Sequence, residues 1–135
     1  WKNSKDIIKN GKFDYCMVWG GANDAACLYN LDSSISNLQK IINLCRSKGT
    51  KCIILTGFNP ELVQITNSNK SQWGFYPPRY VILQEKIKTK LTGARIVQNW
   101  YISRQDGDCG DFICHMSASG HRKMARGLYQ ELFSY

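Results

Sequence analysis

The chain has 135 residues, 43% hydrophobic and 21% charged, which suits one compact α/β-sized domain and excludes a disordered segment. Its net charge of +8 raises the prior for polyanion partners, but the eighteen Lys and Arg are spread out, with no zinc-finger spacing and no nucleic-acid motif. The basic residues therefore read as solvated helix faces and nucleic acid is an unexpected partner. No run approaches the ~18 apolar residues of a membrane span.

In chain order, residues 4–10 predict a short helix with Ser4 as cap and Gly11 as stop. "FDYCMVW" (13–19) is a continuous apolar run, the pattern of a strand buried on both faces of a parallel sheet. Gly20-Gly21-Ala22-Asn23-Asp24 follows as a turn, with Asp24 read as a cap of the next helix. Residues 32–49 predict an amphipathic helix built on Ile35, Leu38, Ile42 and Cys45, capped by Ser33 or Ser34 and stopped at Gly49. A second buried strand is expected at 51–56, a helix at 78–93, a third strand at 94–100 and a closing helix at 118–133. Strands alternating with helices predict parallel crossovers and a doubly wound sheet in a single domain over 1–135.

Residues 57–77 form a long stretch with no clear element. It follows the C-terminal end of a strand, the edge at which open α/β sheets bind ligands. Phe58, Trp73, Phe75 and Tyr76 lie in it and are expected either to wall a substrate pocket or to tie the loop to the body.

Six cysteines stand at 16, 27, 45, 52, 109 and 114. Cys16, Cys45 and Cys52 fall in apolar runs, where a thiol packs as a small hydrophobe. Buried thiols in an α/β pattern favour reduced cysteines and intracellular synthesis, although the even count leaves disulfides open. Cys109, Cys114 and His115 are off-spacing for a metal site, and neither a metal nor an organic cofactor is expected.

The three strand ends bring Asn23, the 57–77 loop and the acid-rich "RQDGDCGDFICH" to one edge of the sheet. "VWGGAND" resembles the third conserved block of SGNH (GDSL-type) esterases and lipases, Gly-x-Asn-Asp, through Gly21, Asn23 and Asp24. "DFICHMSASGHRKMA" is similar to that family's last block, with His115, Gly120 and Met124 in place. The resemblance covers nearly the whole chain in order and implies a flavodoxin-like three-layer SGNH fold, incomplete on its N-terminal side. It implies that Asn23 donates its amide to an oxyanion, that Gly21 allows close backbone approach, and that His115 is general base oriented by Asp111. Gly21, Phe58, Trp73 and Tyr76 would bind the ester substrate, an acylated carbohydrate or lipid.

Two features depart from the family pattern. The acid normally stands three residues before the His, where this chain has Phe112; Asp111 stands four before. The Gly-Asp-Ser nucleophile block and the following oxyanion glycine are absent, and Ser117 and Ser119 are misplaced for that chemistry. The chain also starts at Trp1 rather than Met, as a fragment or a proteolytic product would. The expectation is a serine esterase whose missing strand and nucleophile serine come from another segment or a second polypeptide. The alternative is a catalytically inactive SGNH-like module of a larger assembly, such as a virus particle.

Overall fold

The computed structural model describes residues 2–133, with the side chains of residues 2–4 outside the description, so Trp1 and the Ser4 cap lie outside it. Three strands form one parallel sheet in the order β1 (Tyr15–Trp19), β2 (Lys51–Leu55), β3 (Arg95–Val97). The register is Tyr15 to Lys51 through Trp19 to Leu55, and Ile53 to Arg95 through Leu55 to Val97. Helices α1 (Lys2–Asn10), α2 (Ala22–Ala26), α3 (Leu31–Ser47), α4 (Lys70–Trp73), α5 (Tyr76–Lys90) and α6 (Ala118–Phe133) complete the α/β architecture.

Strand parity sorts the layers. Cys16 and Cys52 point to α3, where their sulfurs meet that of Cys45. Tyr15, one residue away, points to the opposite face, where its ring meets Phe133 of α6 edge-on at 5.5 Å. Helix α3 also touches α5, so the β1–β2 and β2–β3 crossovers share a face. The core runs through the middle of this arrangement: Ile42, Cys45, Ile54, Leu55, Tyr80, Leu83, Ile87 and Val97 are all but sealed from solvent.

Several expected boundaries shift for local reasons. Helix α3 opens on Asn30 rather than on Ser33 or Ser34: its side chain accepts from Asp32 N–H (2.9 Å) and Ser33 N–H (3.2 Å). Asp24 caps nothing. It lies inside α2 and accepts the Ser34 hydroxyl, tying α2 to α3. The 57–77 stretch is more ordered than expected: it holds a 3₁₀ turn at Pro60–Leu62, the short α4, and the first turn of α5 with Pro77 and Pro78 at its start. Strand β3 ends early because Asn99, fully buried, turns its side chain to accept the Gly57 N–H at 2.7 Å.

The largest correction concerns β1. It was expected to be buried on both faces, yet it is an edge strand with alternating exposure. Tyr15, Met17 and Trp19 remain 45%, 44% and 38% exposed. A groove of about 300 Å³ runs along it, lined by Ile7, Ile8, Cys16, Met17, Val18, Trp19 and Ile41. A continuous apolar run looks the same in sequence whether or not a neighbour covers it.

Candidate active site

Chain turns at the C-terminal ends of the strands bring the predicted residues together. Asn23, Phe58, Trp73, Tyr76 and His115 line one cleft of about 340 Å³, with Cys27 and Cys114 beside them. Cys27 follows α2 as its C-cap, one turn beyond Asn23, and the Asn23 carbonyl accepts the Cys27 N–H at 2.8 Å. Gly21 does not line this cleft. It precedes α2 in a left-handed conformation (φ 94°), and a side chain there would meet Leu83 at 2.8 Å. Its role is therefore to seat α2 closely on α5, which aims the face carrying Asn23.

The aromatic wall is rigid. Phe58 packs on Tyr80 at 5.3 Å, Tyr76 stacks on Tyr80 at 5.5 Å, and Trp73 meets Tyr76 and Phe112 edge-on. The Phe58 carbonyl accepts from the buried Gln84 amide at 2.8 Å. Gly57 (φ 101°) makes room for this cluster, since a Cβ there would overlap the Tyr80 hydroxyl. Among the described residues that hydroxyl meets no partner at hydrogen-bond geometry, and burial, only partly offset by the nearby Trp19, Gln84 and Phe58, pushes it up to about 12.

Asp111 and His115 form a hydrogen-bonded pair, Oδ2 to Nδ1. The four-residue spacing works because the chain folds into a tight hairpin rather than an open loop. Cys109 and Met116 form an antiparallel bridge, Gly110 N–H bonds the His115 carbonyl at 2.7 Å, and Cys114 takes a left-handed φ of 66°. Asp111 Oδ1 accepts the backbone N–H of Ile113 (3.1 Å) and of His115 (3.0 Å). Partial burial pushes the Asp111 carboxyl up, but the His115 ring and these N–H donors outweigh it and hold the group below the usual carboxylate range. With Nδ1 engaged, Nε2 is the His115 nitrogen left to exchange a proton.

A disulfide joins Cys109 to Cys114 across the base of this hairpin. The expectation of reduced thiols thus fails for this pair, because the hairpin sets the two residues side by side; Cys16, Cys27, Cys45 and Cys52 are free. Pairing also removes Cys109 and Cys114 as metal ligands. Arg104 is a second support. Its guanidinium donates to the carbonyls of Leu62 (2.9 Å from Nε), Asp111 (2.9 Å) and Phe112 (3.2 Å), clamping the hairpin to the 3₁₀ turn. Asp108, fully buried, accepts from Ser103 N–H (2.8 Å), the Ser119 hydroxyl (3.0 Å) and Lys123 (3.1 Å). The Ser103 N–H is the largest of the contacts that keep its carboxyl low. Spacing alone signals none of these supports.

Ser119 is thereby bound to Asp108, and Ser117 donates to the Gly107 carbonyl at 2.8 Å. Neither lines the cleft. Among its lining residues the one free nucleophilic side chain is the exposed Cys27 thiol. No helix among the described residues is long and apolar enough to cross a membrane. No protein-family model matches the chain, and no curated protein matches it in sequence.

Proposed function

We propose that this chain is the base and oxyanion part of a serine ester hydrolase of the SGNH kind, with a doubly wound three-layer fold completed by a further strand beside β1. The observation that carries this is the Asp111-paired His115 opening on the same cleft as Asn23. In such a site the nucleophile's hydroxyl gives its proton to His115 Nε2 as the oxygen attacks the ester carbonyl. The Asn23 amide N–H then stabilises the oxyanion of the tetrahedral intermediate. His115 returns the proton to the leaving alcohol, and water repeats the sequence on the acyl-enzyme. Asp111 holds the tautomer and stabilises the imidazolium. The aromatic wall of Phe58, Trp73 and Tyr76 suits the apolar part of an acylated carbohydrate or lipid.

The serine comes, in this proposal, from a segment or second polypeptide that pairs with the open edge of β1. The exposed Tyr15, Met17 and Trp19 and the groove beside them support that role. The test is fluorophosphonate labelling of the protein as isolated with its native partners. Labelling of a serine outside residues 1–135, lost in His115→Ala, is the expected result. Labelling of no chain overturns the esterase and leaves a binding or structural module.

A further inference from the structure

The sulfurs of Cys16 on β1, Cys45 on α3 and Cys52 on β2 all lie within 4.8 Å of one another. They are far apart in sequence and converge because Cys16 and Cys52 are register partners on neighbouring strands, both facing α3. Cys45 and Cys52 are buried, while Cys16 opens on the groove along β1. Three thiolates on one ion with bonds of about 2.3 Å stand roughly 3.4–4.0 Å apart, from a pyramidal to a planar arrangement. Sulfurs within 4.8 Å of one another already stand near that spacing.

We propose that Cys16, Cys45 and Cys52 form a binding site for a soft, thiolate-seeking ion held by three sulfurs. The surroundings narrow the class. The groove that reaches Cys16 is lined by Ile7, Ile8, Met17, Val18, Trp19 and Ile41, which offer no fourth oxygen or nitrogen ligand of the kind zinc takes. Cys45 and Cys52 are buried and Cys16 opens only on this apolar groove, so net charge at the site would be poorly solvated. A monovalent or divalent ion on three thiolates leaves net negative charge in an apolar site, which is costly. A trivalent ion leaves none. Arsenite meets this requirement: three As–O bonds break, three As–S bonds form, and each thiol proton leaves with a hydroxide as water, with no change of oxidation state. Copper(I), also soft and content with three sulfurs, would release the thiol protons to solvent and leave two negative charges behind.

The test uses the full chain carrying Cys27→Ser, which removes the exposed thiol, and titrates it with sodium arsenite alone and, separately and without oxygen, with copper(I). The expected result is one arsenic per chain, disappearance of the three remaining titratable thiols, a near-ultraviolet thiolate charge-transfer band and a raised melting temperature. Cys16→Ala and Cys45→Ala should each weaken uptake at least about tenfold, since even outer-shell changes at metal sites cost that much. Cys16 is only partly buried, so its variant keeps the test alive should Cys45→Ala fail to fold. Uptake of copper(I) without arsenite supports the three-sulfur site and overturns the charge argument for a trivalent ion. Thiols that stay titratable under excess of both ions, or uptake unchanged in Cys16→Ala, overturn the site.

Discussion

The C-terminal end and the open edge of β1 lead to contrasting surfaces. Beyond its C-terminal end, the cleft is cross-braced: Asp111 is held by three hydrogen bonds, the hairpin by a disulfide and by Arg104, the aromatic wall by Tyr80 and Gln84. Along its open side, Met17 and Trp19 face solvent and the strand pairs only with β2. Polar groups that need fixed geometry are supported by this chain's own residues, whereas apolar groups that need only cover are left bare. Directional chemistry has to be built locally, but a sheet edge can be closed by any chain with the right alternation.

The largest expected effect falls on the braced side. On the proposed esterase reading, His115→Ala should slow turnover or serine labelling by about 10³-fold or more, and Asn23→Ala by about 10²–10³-fold in kcat. Equal losses in a variant remote from the cleft would break the assignment. Next comes the bare side. Met17→Asp puts a charge where a partner strand would pack and should weaken partner association about 100-fold, or about 2.7 kcal/mol, measured by titration calorimetry. An unchanged affinity would mean that β1 is not the docking edge.

Smaller effects separate the braces from the chemistry. Replacing Cys109 and Cys114 together by Ser should cost about 2 kcal/mol of stability and raise hydrogen exchange at Gly110 and His115 while leaving β1 unaffected. The pH response has a definite sign. Asp111 and Asp108 both sit below the ordinary carboxyl value of 3.8, so their contribution is complete above that value and is lost as pH falls through their lower folded values. Nitrogen-15 spectra recorded on acidification should therefore show the 103–120 region losing order before the sheet. Tyr80→Phe removes a buried hydroxyl with no partner and should raise stability by up to about 1 kcal/mol in thermal melts.

The α/β alternation was readable because the longer helices α3, α5 and α6 keep a 3.6-residue apolar stripe and each strand is a short, largely apolar run. So was the meeting of Asn23, His115 and the aromatics, since strand ends of one parallel sheet share an edge. Other features turn on contacts that no local pattern carries. The exposure of β1 depends on its place at the edge of the sheet, not on its own residues. The Cys109–Cys114 pairing follows from a hairpin held partly by the Asp111 side chain, which makes the unfamiliar four-residue spacing workable. Asn99 looks like one more strand residue until its amide is seen to terminate β3 at Gly57. The helical turns within 57–77 arise from side chains bonding nearby backbone, as when Asn59 accepts the Glu61 N–H and Asn69 the Thr66 N–H.

The bare edge of β1 also governs how the protein's stability should be measured. If a partner strand binds only the folded chain, every melting temperature is a mass-action quantity that rises with partner concentration. Dilution, purification away from the partner, or unequal synthesis of the two chains would then lower the measured stability with no change in the sequence of either.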